Sequence, residues 1–150
     1  MGNLKQISFN GKASTFSDNI PNNFKDGTGT NSVIEGDVNN NIASGNYSHA
    51  EGSGTITSGW ASHAEGTSTR AVGPDQHVSG KYNVEINNVA EIIGNGSGNN
   101  SRSNARVLDW NGNEKLAGSL TLGMNTAEEI TITASELKAI KQMLQDNNYI

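Results

Sequence analysis

Glycine returns every seven residues between positions 41 and 80, and apolar and polar residues alternate between the glycines. The repeated glycines are Gly45, Gly52, Gly59, Gly66, Gly73 and Gly80. The units read NIASG, NYSHAEG, SGTITSG, WASHAEG, TSTRAVG and PDQHVSG, and residues 31–36 (NSVIEG) form an earlier copy offset by an insertion at 37–40. Six units in one register predict a repeat architecture.

Neighbouring seven-residue units differ in sequence while every second unit is similar, so the true repeat is fourteen residues long. Two columns have this spacing, with His49, His63 and His77 in one and Ile42, Ile56 and Arg70 in the other. Glycine at every seventh position would cost a helix about 1 kcal/mol each time. It suits a short strand that ends at a turn. Two strands and two turns per repeat predict one coil of a narrow parallel β-solenoid, with coils about 4.8 Å apart.

Alternation within each strand predicts which side chains point into the coil. Ser48, Ala50 and Gly52 fall on one face, and His49 and Glu51 fall on the other. The next coil repeats the pattern. We expect the uniformly small Ser/Ala face to pack inside, because a short coil has little room for large side chains. The outer face then carries the isoleucine column and the His/Glu pairs, and an exposed isoleucine column needs a partner.

The units SVIEG, SHAEG and TITSG resemble the head repeats of trimeric autotransporter adhesins, and the SHAEG form resembles repeats of phage and prophage tail-fibre proteins. The resemblance covers about a third of the chain. It implies a left-handed parallel β-roll in each of three chains, packed around a threefold axis as a homotrimer. Placing Ile42 and Ile56 at the contact between chains follows from the alternation. The stretch from GKYN to LAG similarly resembles the region after SHAEG repeats in phage tail proteins.

Composition supports a thin solenoid completed by oligomerisation. The 150-residue chain is 33% hydrophobic and 5% aromatic, with 18 glycines and a mean hydropathy of −0.57, which is little for an ordinary globular core. Strict periodicity argues against disorder. The net charge of −5 comes without a basic patch, so nucleic acid is not an expected partner. There are no cysteines, which excludes disulfides and thiolate metal sites.

The first fourteen residues contain no continuous apolar segment, so we expect neither a signal peptide nor membrane insertion. Two interpretations accommodate this. The chain is an excised fragment of a larger bacterial surface adhesin, or it is a virion component assembled in the host cytoplasm and released by lysis.

The segments flanking the repeats divide the chain into four predicted regions: 1–30, 31–80, 81–123 and 124–150. The first is a cap or a leader, with Ile7 and Phe9 before an Asn10-Gly11 turn. The third is a β-rich connector with strand candidates at 84–86 and 89–93 and a loop at 94–104. Its Asn111-Gly112 pair predicts a hairpin, to which Leu120–Leu122 adds a third strand.

The last region predicts a short helix at Ala134–Asp146. Thr133 and Glu136 have the spacing of a capping box, and Leu137, Ile140 and Leu144 follow at helical intervals. A helix of this length is marginal alone. We expect the three apolar residues to face the axis of a parallel three-helix bundle. The alternative is that the helix folds back on its own hairpin.

Histidine and glutamate offer the main candidates for chemistry. His49 and Glu51 lie two apart on one strand face, but the pair recurs as a ladder, which favours structure over catalysis. We therefore expect no enzymatic activity, no cofactor and no metal. An axial metal in the trimer, with His63 as the ligand, remains an alternative. Trp60 falls at a turn and Tyr47 at the site taken as equivalent one half-repeat earlier, and both are candidate receptor contacts.

These observations predict a homotrimeric structural and attachment protein. By resemblance it belongs to a phage or prophage tail, as a fibre or baseplate appendage that contacts other tail proteins and a cell-surface glycan or protein receptor. One alternative is a fragment of a trimeric bacterial adhesin on the cell surface. Another is a metal-dependent or self-cleaving module of a tail protein.

Overall fold

The computed structural model describes residues 24–122 and 130–150, together with the strand backbone of residues 7–9 and 12–14. The fold is mainly β, with one short C-terminal helix, as predicted. The strands are β1 (Ile7–Phe9), β2 (Lys12–Ser14), β3 (Phe24–Asp26), β4 (Val33–Gly36), β5 (Ile42–Ala43), β6 (His49–Gly52), β7 (Ile56–Thr57), β8 (His63–Ala64), β9 (Arg70–Ala71), β10 (His77–Lys81), β11 (Val89–Asn95), β12 (Asn104–Asp109), β13 (Glu114–Leu116), β14 (Leu120–Leu122) and β15 (Ile130–Ile132), and the helix is α1 (Ala134–Asp146).

The repeats form a parallel β-solenoid of about four turns. One sheet contains β4, β6, β8 and β10 in parallel, and the other contains β5, β7 and β9. His49 aligns with His63 and Ile42 with Ile56, so each coil advances the chain by fourteen residues. Between β4 and β6 the offset is sixteen, because Val33 aligns with His49. The predicted insertion therefore adds two residues to the first coil. The predicted coil of two strands and two turns is confirmed.

The interior of the middle coils is small and polar, as the alternation predicted. Ser48, Ala50, Ser62 and Ala64 are all buried. Thr57 donates its hydroxyl hydrogen across the coil to Ser48 Oγ at 2.9 Å. The prediction that the coil has no room for large side chains is wrong at its ends, where the buried residues include Ile34, Gln76, Val78 and Ile92.

The repeated glycines form two columns with different physical demands. In the column of Gly52, Gly66 and Gly80, φ is positive and a Cβ atom would also approach the glycine carbonyl of the next coil; at Gly66 it would lie 2.1 Å from Gly80 O. In the column of Gly45 and Gly59, no positive φ occurs, and close approach alone requires glycine. The Cβ at Gly59 would lie 1.9 Å from Gly73 O. Gly73 is less crowded, because an added Cβ there would have Asn88 N, at 3.4 Å, as its nearest atom.

The solenoid continues beyond residue 80. β10 pairs in parallel with β11, aligning His77 with Glu91 and Gly80 with Gly94, again fourteen residues on. The predicted strand at 84–86 does not form. Its backbone bonds to side-chain amides instead, since Val84 N–H donates to Asn104 Oδ1 at 2.8 Å and Asn104 Nδ2 donates back to Val84 O at 3.0 Å.

Antiparallel strands close both ends of the larger sheet. β3 pairs antiparallel with β4 at one end, and β12 and β13 follow β11 antiparallel at the other. The predicted hairpin at Asn111-Gly112 is confirmed. Asp109 accepts hydrogen bonds from Asn113 and Asn111, and these hold the pKa of its carboxyl below its usual value.

Two further hairpins lie outside the solenoid. β1 pairs with β2 antiparallel, as predicted for the N-terminal region, while the predicted Asn10-Gly11 turn lies outside the described residues. β14 pairs with β15, so Leu120–Leu122 does not extend the preceding hairpin as predicted. The partner strand lies ten residues on, past the segment 123–129.

Helix α1 has the predicted bounds and cap. The Thr133 side chain accepts from the Glu136 backbone N–H, and the Glu136 carboxylate accepts from the Thr133 N–H at 2.8 Å. The Thr133 hydroxyl also donates to the Glu136 carboxylate at 2.7 Å, and this bond, followed by the one from the Thr133 backbone N–H, lowers the pKa of the Glu136 carboxyl. The reciprocal pair satisfies two backbone donors that a helix start otherwise leaves unpaired.

Replacing Asn83 with alanine is expected to lower the free energy of unfolding by about 3 kcal/mol. Asn83 is fully buried and takes the place of a neighbouring strand: its Oδ1 accepts from Arg70 N–H at 2.7 Å and its Nδ2 donates to Arg70 O at 3.1 Å. Alanine leaves both backbone groups unpaired, at about 1–3 kcal/mol each. Urea unfolding measures the change. The exposed Asn87→Ala is the control, expected within about 0.5 kcal/mol of the parent; equal effects would contradict this role.

Candidate functional site

An apolar column runs along the outer face of the smaller sheet. The fourteen-residue register aligns Ile42, Ile56 and Arg70. Ile42 and Val84 are 46% and 43% exposed, and Ile56 is half-buried. Arg70 turns its guanidinium toward Glu85, with 2.7 Å between Nη1 and Oε1. Val84 lies fourteen residues after Arg70 and belongs to this column, although the sequence analysis assigned it to a strand of the connector.

A second apolar surface lies on α1. Leu137, Ile140 and Met143 are each about half exposed, and Leu144 is partly buried. The helix buries none of its side chains within the described part of the chain. Folding back onto the preceding hairpin, the alternative considered above, does not cover this face. Leu137 and Ile140, two of the three residues predicted for the bundle axis, are thus exposed in the single chain, and the third, Leu144, is partly exposed.

The histidines form a ladder on the outer face of the larger sheet. The His49 and His63 rings stack with centroids 4.7 Å apart and planes 7° from parallel, while the His63 and His77 rings are 5.1 Å apart and tilted by 34°. Each histidine faces the glutamate of the coil before it, at 3.4 Å for His49–Glu35 and 3.5 Å for His63–Glu51. The two-apart His49–Glu51 pairing considered from the sequence is therefore replaced by contacts between coils.

The electrostatics of the ladder favour a neutral imidazole in its middle. Partial burial, followed by the proximity of His49 and His77, lowers the pKa of His63. The nearby Glu65 and Glu51 oppose this shift without reversing it. The neutral form of His63 is therefore favoured, and a neutral imidazole has one N–H donor and one lone pair.

The far end of the larger sheet carries a separate ion-pair network. Arg106 contacts Glu91 at 2.8 Å and also contacts Glu114. The hydrogen bond to Glu114 contributes most to raising the pKa of Arg106. This network ties β11, β12 and β13 together on the same outer face as the histidines, and the repeat pattern gave no signal of it.

Tyr47 and Trp60 lie at the corner between the two sheets. Their rings make an edge-on contact with centroids 5.8 Å apart and planes at 69°. They are 55% and 53% exposed. The predicted equivalence of the two positions is wrong: Tyr47 aligns with Ala61, and both residues have positive φ at the turn. The two aromatics are instead neighbours from adjacent coils, which makes one continuous aromatic patch.

The structure therefore brings some predicted site residues together and separates others. The isoleucine column and the histidine ladder lie on different sheets, with the aromatic patch between them. The repeat glycines lie at the corners, where they allow neighbouring coils to approach. This arrangement offers three adjacent surfaces of different chemistry along one rod. It defines the chain as a β-solenoid repeat protein with outward-facing ladders.

No family model, curated protein or solved structure matches the chain. Within residues 24–122 and 130–150, no helix is both long enough and apolar enough to span a lipid bilayer.

Proposed function

We propose that the protein is a homotrimeric structural and attachment component of a phage or prophage tail, in a fibre or baseplate appendage. The observation that carries the proposal is the apolar column of Ile42, Ile56 and Val84, in which Ile42 and Val84 are exposed and Ile56 is half-buried within the described part of the chain. The middle coils are filled by serine, threonine and alanine and bury little apolar area, so a partner that covers this column would add to the stability of the assembled protein.

Three copies around an axis parallel to the solenoid would cover this column along its whole length. The same arrangement brings three copies of α1 together, so that Leu137, Ile140 and Leu144 pack on one another in a parallel bundle. The two surfaces lie in different parts of the chain and call for the same kind of partner. The resemblance of the SHAEG units to trimeric adhesin heads and tail fibres supports three as the number of chains.

The aromatic patch supports the attachment role, because a trimer would repeat it on each chain. A trimer presents the Tyr47–Trp60 patch three times, and tyrosine and tryptophan combine a large apolar ring with a polar hydrogen-bonding group. Simultaneous engagement of a repeated surface glycan or protein would raise avidity well above single-site affinity. An attachment role of this kind requires no turnover.

The solution mass of the protein tests this proposal first. We expect light scattering after size exclusion to give three times 15.8 kDa. The assembled, labelled protein should then bind intact bacterial cells of a susceptible strain, and unlabelled protein should compete. A monomeric mass at micromolar concentration would overturn the trimer, and a trimer that binds no bacterial envelope would overturn the attachment role.

A further inference from the structure

Two histidines and one glutamate converge on the outer face of the larger sheet. One ligating atom from each of His49, Glu51 and His63 lies within 4.8 Å of the other two. His49 and His63 are register partners in adjacent coils, and Glu51 follows His49 on the same face of β6. The solenoid backbone therefore fixes the three side chains on adjacent rungs of one ladder.

His63 directs an unused nitrogen atom toward Glu51 within this cluster, and His49 carries a second unused nitrogen atom, which lies beside Glu35. Their rings are 35% exposed, yet their Nε2 atoms are covered and have no hydrogen-bond partner among the described residues. The carboxylates of Glu35 and Glu51 approach these nitrogens at 3.4 and 3.5 Å without the geometry of a hydrogen bond. A covered ring nitrogen without a hydrogen-bond partner is costly unless something else binds it.

The stacking of the two rings sets the geometry of the cluster. The His49 and His63 rings lie with centroids 4.7 Å apart and planes 7° from parallel. Small rotations of these rings would bring one nitrogen atom of each to a shared metal ion, and the Glu51 carboxylate would balance the charge of that ion.

We propose that His49, Glu51 and His63 bind a divalent transition-metal ion of the zinc type within a single chain. Two imidazoles and one carboxylate are a ligand set that Zn²⁺ accepts, with water completing a tetrahedron. Ligand atoms on a tetrahedral zinc ion are roughly 3.4 Å apart, given bonds of about 2.0–2.1 Å. The three side chains need to close by at most about 1.4 Å per pair, which the partly exposed rings can do by rotating. The ion would pin two neighbouring coils and does not depend on the trimer.

The next rung provides a natural comparison. His77 contacts Glu65 at 3.7 Å and Glu91 at 4.0 Å, and its ring is tilted by 34° from that of His63. Glu91 is also engaged by Arg106 at 2.8 Å, which supplies a competing positive charge. His77 thus has the same residue type, the same column and similar exposure, but it lies outside the converging group. His77→Ala is the matched control.

The test uses full-length protein without a histidine tag, stripped with chelator and titrated with Zn²⁺ by calorimetry. We expect saturable binding of one ion per chain and a melting temperature that rises with Zn²⁺ concentration. His49→Ala and His63→Ala should each weaken affinity by more than about 100-fold, the upper end of what loss of an outer-shell partner costs. Glu51→Gln should also weaken it, and His77→Ala should keep the parent affinity.

Co²⁺ provides a second readout that does not depend on stability. Binding at the proposed site should give the intense visible absorption of tetrahedral Co²⁺, and His63→Ala should remove it while circular dichroism shows an intact fold. Absence of saturable Zn²⁺ binding by the parent protein would overturn the proposal. So would a loss of binding in His77→Ala equal to that in His63→Ala, because that result would place the ion elsewhere on the ladder.

Discussion

Replacing Gly66 with alanine is expected to disrupt the solenoid, lowering the free energy of unfolding by more than about 3 kcal/mol. Two independent penalties meet at this position. The backbone has φ of +101°, where residues with a Cβ atom are strained, and the new Cβ would lie 2.1 Å from Gly80 O in the next coil. The obstructing atom is backbone, so relief requires neighbouring coils to move apart and their shared hydrogen bonds to break.

Urea unfolding at a fixed protein concentration measures this loss, with circular dichroism as the signal. Gly118→Ala is the matched control, because Gly118 has no described atom within 4 Å of an added Cβ and no positive φ. Alanine there should be neutral or stabilise by up to about 1 kcal/mol. If Gly66→Ala and Gly118→Ala unfold at the same urea concentration, close packing of coils at the glycine column is not what stabilises the rod.

Replacing Ile56 with aspartate is expected to abolish trimer formation while leaving each solenoid intact. Ile56 lies in the middle of the proposed contact, between Ile42 and Arg70 in the register of the smaller sheet. Around a threefold axis the substitution would bring three carboxylates together away from water. Each buried and unpaired charge costs several kcal/mol, which exceeds what a thin interface recovers.

Light scattering distinguishes the outcomes directly. We expect the Ile56→Asp variant to elute with the mass of one chain and to keep its β-sheet circular dichroism. Thr67→Asp is the control of equal charge, since Thr67 is exposed at a turn next to the larger sheet, and it should remain trimeric. An Ile56→Asp protein that assembles fully, with an unchanged melting temperature, would refute the placement of the isoleucine column at the contact.

Periodicity was sufficient to predict the coil, because every repeat position has one dominant physical demand. Glycine marks corners where coils touch, and alternation separates Ala50 and Ala64 inside from His49 and His63 outside. The bounds of the helix were equally predictable, since Thr133 and Glu136 bind the free backbone N–H groups of its first turn. Such features depend on near neighbours or on an exact register, and both can be read along the chain.

The features that the sequence did not predict, such as the continuation of the solenoid past Gly80, depend on contacts that periodicity does not encode. The last coil has asparagine at position 87, where glycine would continue the repeat, so the pattern ends at Gly80 although the pairing does not. Gly94, fourteen residues after Gly80, and the inward Ile92 after Val78 were the available signals. The diagonal contact of His63 with Glu51 requires the spacing between coils as well as the order of residues.

The switch from parallel to antiparallel pairing at both ends of the larger sheet affects whether further copies of the chain can stack on the ends of the solenoid. A parallel solenoid with bare terminal coils would offer each end as a template for another copy in the same register, and such edges promote polymerisation. Here β3 covers one end and β12 with β13 covers the other, so the terminal strands no longer match the coil they border. The ends of the larger sheet therefore do not offer the parallel register that end-to-end growth into filaments would need.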